Sequence, residues 1–273
     1  MTIRRRFPLA VAALAVALMA PAVAQNSTTD NVADTFVPEV GQSGKDVIWV
    51  PTPQALVDRM LDMAALTPQD ILVDLGSGDG RTVITAAKRG AKARGIEYNP
   101  DMVALSKSAA LREGVSDRAV FEQADIFESD FSDATVVTLF LLPGLNLRLK
   151  PTLLDMKPGT RIVSNSFTMG DWEPDQTGSA EECQSYCTAY MWTVPAKVEG
   201  TWKAPDGELT LTQKFQFVEG TLSKGGTTVP ISDGRLNGPE LRFKAGNEEY
   251  VAEVSGKQMK GTANGQTGWT ATM

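Results

Sequence analysis

Histidine is absent from the 273 residues. That excludes Ser-His-Asp and Cys-His nucleophile systems and any imidazole-ligated metal site. A general base must then be Asp, Glu, Lys, Tyr, Cys or water. Cysteine is scarce. Cys183 and Cys187 are the only two, and two thiols alone make a weak case for zinc. Basic residues are outnumbered, 26 Lys and Arg against 33 Asp and Glu, for a net charge of −7. Such a chain is a poor candidate for tracking nucleic-acid backbones, so a nucleic-acid partner is disfavoured. The apolar stretch from Leu9 to Ala20 is too short to span a bilayer comfortably. What remains is the composition of a globular protein, 42% hydrophobic and 22% charged, long enough for one large domain or two modest ones.

The N-terminus reads as a secretory leader. Arg4-Arg5-Arg6 is a basic start, Leu9 to Ala20 an apolar middle, and Ala22-Val23-Ala24 a small-residue cleavage pattern. Residues 1–24 are therefore expected to be a signal peptide, with Gln25 as the mature N-terminus and no stable membrane span after cleavage. The expected location is exported and periplasmic, or membrane-anchored if the leader stays. Arg4-Arg5-x-Phe7 resembles a twin-arginine core, although Ile3 and Pro8 fit that pattern poorly. Cleavage removes three arginines and no acid, which moves the net charge from −7 to −10. In an oxidising compartment Cys183 and Cys187 favour a disulfide over free thiols, provided the backbone between them bends.

Residues 25–45 are polar and read as a flexible leader into the fold. Thr52 is placed to cap a helix that starts at Pro53, with Leu56, Val57, Met60, Leu61 and Ala64 at helical spacing. Strands follow at Ile71–Leu75, Ala93–Glu97, Val120–Asp125, Thr135–Leu142 and Arg161–Ser164. Helices are expected from Arg81 to Lys88, from Pro100 to about Glu113 and from Leu147 to Met156. This alternation predicts a doubly wound α/β sheet. After Pro195 the period changes to two, with glycines punctuating short segments. Residues 196–273 are expected to form a small antiparallel β domain, a meander closing into a barrel or sandwich. The α/β domain takes residues 46–195.

The chemistry concentrates at Asp74-Leu75-Gly76-Ser77-Gly78-Asp79-Gly80 and Gly95-Ile96-Glu97-Tyr98-Asn99-Pro100. The glycines follow a Gly-x-Gly-x-Gly pattern, not the Gly-x-Gly-x-x-Gly of dinucleotide sites. They let the backbone turn tightly and approach a ligand. Asp74 suits a ligand that bears an ammonium group and repels a pyrophosphate. Glu97 ends the next strand, where it can accept from both ribose hydroxyls. Asp125 can accept from an adenine amino group. A ligand with adenine, ribose and an amino acid but no phosphate is S-adenosylmethionine.

These segments, with Trp49-Val50-Pro51-Thr52-Pro53 and Phe140-Leu141-Leu142-Pro143, resemble the class I S-adenosylmethionine-dependent methyltransferases. Within that class, residues 47–170 resemble the branch of the ATP-synthase c-subunit lysine methyltransferases and their bacterial relatives. The resemblance implies a Rossmann-like methyltransferase sheet and S-adenosylmethionine as cofactor. It implies cofactor contacts from Thr52, Asp74, Gly76, Ser77, Gly78, Asp79, Gly80, Glu97, Tyr98, Asn99, Asp125 and Ile126. Asp74 and the glycines would surround the methionine end, Tyr98 and Ile126 would flank the adenine, and Thr52 would lie over the cofactor. No metal site and no catalytic base is assigned. Asn165 and Asp171 follow the fifth strand, within reach of an acceptor, but a loop role is the better reading.

The expected acceptor is a protein lysine or a small molecule. Leu142-Pro143-Gly144 lacks the Asn/Asp-Pro-Pro-aromatic signature of methylation on base amino groups. The leader pulls the other way, because S-adenosylmethionine is made in the cytoplasm. The alternative is an exported, non-catalytic module that keeps the fold and binds a ligand or envelope partner. Intact acids at 74, 97 and 125 favour the enzyme.

Overall fold

A computed structural model describes residues 1–2, 36–181, 183–205 and 207–273. The expected signal peptide and the start of the flexible leader lie, apart from residues 1 and 2, outside the described residues. The α/β layer begins with α1 (Gln54–Met63), which buries Leu56, Val57, Met60, Leu61 and Met63. Pro53 is its cap. The Thr52 side chain does not cap the helix as expected, because it faces Asn165, whose Nδ2 donates to Thr52 Oγ1 at 3.2 Å.

Next come β1 (Ile71–Leu75), α2 (Arg81–Lys88), β2 (Lys92–Glu97), α3 (Pro100–Arg112), β3 (Ala119–Gln123) and β4 (Val136–Leu139). Then follow α4 (Pro143–Leu154), β5 (Arg161–Asn165), β6 (Gln176–Ser179) and β7 (Thr188–Thr193). Asn99 caps α3 and accepts from the amides of Asp101 and Met102, with Pro100 in the first turn. Helix α4 starts four residues earlier than its expected Leu147, because Pro143 has the fixed φ that suits a first helical position. Strand β3 ends at Gln123, so Asp125 sits in the loop beyond it rather than on the strand.

The seven strands take the order β3-β2-β1-β4-β5-β7-β6. Strands β1 to β5 run parallel, and β7 is antiparallel to both β5 and β6. The final pair, β6 and β7, is absent from the sequence-based expectation. Leu72, Val73 and Leu75 of β1 and Val136, Val137 and Leu139 of β4 are buried, as central strands covered on both faces require.

Eight further strands close a barrel: β8 (Gly200–Ala204), β9 (Gly207–Lys214), β10 (Phe217–Lys224), β11 (Thr227–Asn237), β12 (Glu240–Ala245), β13 (Glu248–Ser255), β14 (Gln258–Ala263) and β15 (Gln266–Thr272). Neighbours are antiparallel, and Thr272 pairs with Lys203 to shut the ring. Leu, Val and aromatic side chains fill the interior; Phe243 stacks on Tyr250 at 4.7 Å, with Trp269 edge-on. Gln216 is fully buried and bridges barrel to sheet layer. Its Oε1 accepts from Trp172 Nε1 at 3.1 Å, and its Nε2 donates to the Glu173 carbonyl at 2.8 Å. Among the described residues no helix is long and apolar enough to cross a membrane.

Candidate active site

The chain leaves β1 toward β2 and β3, then returns to β4 on the other side of β1. At this switch point the carboxyl ends of the strands diverge and open a crevice. A cavity of about 210 Å³ occupies it. Eleven of the twelve residues expected to touch the cofactor line it. Gly80 is the correction. A Cβ at Gly80 would lie 2.7 Å from the Phe121 ring and 2.8 Å from Ser106 Oγ, so packing between α2, α3 and β3, not a ligand, demands glycine there. Gly78 carries a second lesson. A Cβ there would meet Trp49 Nε1 at 2.7 Å, so the turn is bare on one side to admit an indole.

Asp74 is buried, and the register of β1 against β4 sets it opposite Thr138. Thr138 Oγ1 donates to Asp74 Oδ1 at 2.6 Å. Burial dominates the electrostatics and pushes the Asp74 carboxyl up to about 7; the Thr138 bond opposes this, and the nearby Asp79 and Glu97 charges add to it. A cationic group in the cavity would relieve that penalty. Glu97 Oε2 accepts from Gly78 N and Oε1 from Asn99 N, each at 2.9 Å. Its carboxylate therefore ties the glycine turn to the end of β2 while facing the cavity. Ser77 Oγ is buried there with no hydrogen-bond partner. Backbone amides, a buried acid and a second carboxylate form a donor and acceptor set that fits an amino-acid-bearing nucleoside.

Other expected residues already have partners. Asp79 is held by Arg81, with Nη2 at 2.6 Å, and Arg81 Nη1 donates to the Thr52 carbonyl at 2.8 Å. Asp125 pairs with Lys45 and accepts from Phe127 N at 2.9 Å. The Lys45 hydrogen bond first, then the Phe127 amide, hold the Asp125 carboxyl below the ordinary carboxylate range. Lys45 Nζ also lies 4.9 Å from the Tyr98 ring centroid. Asn165 ends β5 fully buried, whereas Asp171 sits outside the cavity and pairs with Lys150 at 2.6 Å.

Two parts of the lining carry no assignment from sequence. Residues 41–49 include the last of the expected flexible leader, yet they form a small hairpin. Gly41 N donates to Trp49 O at 2.8 Å and Trp49 N to Gln42 O at 2.9 Å. Gln42 to Trp49 then cover the cavity. Composition alone marks this stretch as polar and conceals its pairing. The second part is aromatic: Phe140, Phe167 and Tyr186 line the cavity beyond β4, β5 and β6. Of these, Phe140 alone carries a signal, at the end of an apolar strand. Tyr186 belongs to a loop closed by a disulfide between Cys183 and Cys187.

Comparison with known proteins places the chain in a family. Residues 74–176 match the model of the ANTKMT methyltransferase domain. A protein-lysine N-methyltransferase of Saccharolobus islandicus is 42% identical over 151 residues, which cover 54% of this chain and 94% of that protein. The chain belongs to the ANTKMT methyltransferase family. It is thus an S-adenosylmethionine-dependent methyltransferase. The human ATP-synthase c-subunit lysine N-methyltransferase is 41% identical over 128 residues, 46% of this chain and 54% of that protein. The chain thus spans about half the length of that animal relative. Among solved structures, an RNA methyltransferase from Salinibacter ruber in complex with S-adenosyl-L-homocysteine is 48% identical, with a TM-score of 0.52 over 55% of this methyltransferase and 96% of that chain. The cofactor is S-adenosylmethionine, and the cavity at the β1–β4 switch point has the chemistry to hold it.

Proposed function

We propose that this methyltransferase transfers a methyl group to the side-chain amine of a protein lysine, with the cofactor in the switch-point cavity. The observation that carries the reading is the convergence of Asp74, Glu97 and Asp125 on one cavity beside a glycine turn. Asp74 would face the methionine ammonium, Glu97 the ribose, and Tyr98 and Ile126 the adenine. S-adenosylmethionine supplies an activated methyl on a sulfonium, so the chain's own residues need mainly to align the acceptor and exclude water. The attacking amine must arrive neutral, and an apolar entrance favours the neutral form because burial disfavours charge.

Lysine as acceptor is supported by the near full-length similarity to the Saccharolobus protein-lysine enzyme. The Salinibacter structure is named as an RNA methyltransferase, so RNA is the competing acceptor. The net charge of −7 opposes it. Calorimetric titration with S-adenosylmethionine, and separately with a dinucleotide, tests the cofactor site; no heat at millimolar S-adenosylmethionine would refute it. Transfer of labelled methyl into a lysine-rich protein rather than into RNA tests the acceptor, and label in RNA alone would reverse that choice.

We also infer export to the periplasm. The leader pattern supports this, as does a cysteine pair positioned for an oxidising compartment. Mass spectrometry of the exported protein should find Gln25 at the N-terminus. An uncleaved Met1 in a membrane fraction would point to the anchored form.

A further inference from the structure

The cavity has two chemically different halves. The half beyond β1, β2 and β3 carries Asp74, Asp79, Glu97 and Asp125. The connections after β4, β5 and β6 supply Phe140, Leu142, Leu145, Phe167 and Tyr186, and none of the lining residues they supply is charged. Three of these are aromatic and touch one another. Phe140 lies 5.1 Å from Tyr186 edge-on and 6.2 Å from Phe167 nearly parallel, while Phe167 and Tyr186 are 6.4 Å apart.

Two of the connections that carry them hold a left-handed residue. Ser166, just before Phe167, has φ +61°, and Tyr186 itself has φ +55°. Non-glycine residues rarely adopt this left-handed conformation, bulky ones least of all, and it persists only where surrounding structure enforces it. The enforcing contacts are visible. Ser166 N donates to the Thr188 carbonyl at 2.7 Å and Ser166 Oγ to Asn165 Oδ1 at 2.7 Å. The Cys183–Cys187 disulfide closes the loop that carries Tyr186. Yet Tyr186 is 43% exposed, so burial of its ring does not explain its pose.

We propose that Phe140, Phe167 and Tyr186 form the acceptor subsite, an aromatic sleeve for the alkyl-ammonium end of a lysine side chain, with Tyr186 held in place by the Cys183–Cys187 disulfide. The inference rests on the methyltransferase reading above. Three ring faces offer apolar contact to the butyl stem and attraction to its cationic or methylated nitrogen. With no carboxylate among these residues to hold its proton, a bound ammonium can lose that proton before transfer. The sleeve opens into the carboxylate half, so an amine at its inner end would meet the cofactor.

The test uses the full chain saturated with S-adenosyl-L-homocysteine. The probes are Nα-acetyl-lysine methylamide, its trimethylated form and the neutral norleucine isostere, followed by NMR line broadening at millimolar concentration. The lysine probes should bind saturably and more tightly than norleucine. Tyr186→Ala and the double variant Cys183→Ser/Cys187→Ser should each weaken lysine-probe binding at least fivefold, and Tyr186→Phe should restore most of it. Homocysteine-nucleoside affinity, measured by calorimetry, should be the same in all of them. Equal probe binding by wild type and Tyr186→Ala, or no saturable binding by wild type, overturns the sleeve while leaving the cofactor site standing. Failure of wild type to bind S-adenosyl-L-homocysteine overturns the methyltransferase reading and the sleeve with it.

Discussion

Replacing Asp74 by asparagine should make the empty protein more stable at pH 8 and the cofactor site weaker. The side chain is buried, and its carboxyl titrates near 7 instead of its ordinary 3.8, chiefly because burial disfavours the charge. The sign follows from linkage. Below pH 3.8 the acid is protonated in both folded and unfolded chains, and nothing is lost. Between 3.8 and about 7 the unfolded chain releases its proton while the folded one keeps it, so stability falls as pH rises. Above about 7 the loss is complete. About three pKa units at 1.36 kcal/mol each give roughly 4 kcal/mol, of which about 1.5 kcal/mol is already gone at pH 5.

Asparagine has the same shape, carries no charge and can still accept from Thr138 Oγ1. Asp74→Asn should therefore gain on wild type by about 2–3 kcal/mol between pH 5 and pH 8. Urea denaturation of both proteins without ligand, at several pH values, reads this directly. Calorimetry on the same samples should show the opposite order for S-adenosylmethionine. On the proposed placement of the cofactor's ammonium against ionised Asp74, wild-type affinity should rise roughly tenfold per pH unit up to neutrality. The variant should bind weakly with little pH dependence. A variant that is less stable than wild type at pH 8, or a stability gap that does not change with pH, would refute the reasoning.

Three further outcomes are expected. Glu97→Gln leaves either the Gly78 or the Asn99 amide facing an NH₂ group, so it should cost about 1–3 kcal/mol of stability and also weaken cofactor binding. Thermal melting and calorimetry would separate the two, and unchanged affinity would move the ribose elsewhere. Gly80→Ala places a methyl against Phe121 at a left-handed position and should destabilise by about 2–5 kcal/mol; a melting temperature within a degree of wild type would show that the ring yields. Gln216→Leu strands the Trp172 indole N–H and the Glu173 carbonyl, at about 1–3 kcal/mol each. A single unshifted urea transition would mean the barrel does not depend on this bridge.

The carboxylate half of the site is legible in the sequence because its determinants are local. Asp74 to Gly80 and Gly95 to Pro100 each lie within seven residues, and each announces a strand, a turn and a helix start. Asn99 shows the limit of that legibility. Its place in the motif points to the cofactor, and it lines the cavity, but its side chain caps α3. Gly80 fails for a related reason. A glycine needed beside a ligand and a glycine needed beside a phenyl ring look identical in sequence. The aromatic half is not legible, since Phe140, Phe167 and Tyr186 come from three separate connections and meet only once β5 and β7 pair. Strand β6, with the burial pattern of an exposed edge, offers too short and polar a run to be seen, and without it the loop bearing Tyr186 has no place in the fold.

The barrel follows from a different logic. None of the residues lining the cavity lies beyond Tyr186, so the barrel gives the cavity no side chain. Its attachments run through Trp172, Glu173 and Asp175, which pairs with Arg235 at 2.8 Å, and through Ala196 N to Gly238 O at 2.8 Å. Gly159 and Gly238 also meet closely, just before β5 begins. That contact lies at the amino ends of the parallel strands, whereas the cavity opens at their carboxyl ends. A barrel filled by its own aromatic side chains and fixed at the opposite edge leaves the cavity mouth clear. Access to Tyr186 is bordered instead by the sheet layer and by the 41–49 hairpin, whose residues from Gln42 to Trp49 share the cavity lining with it.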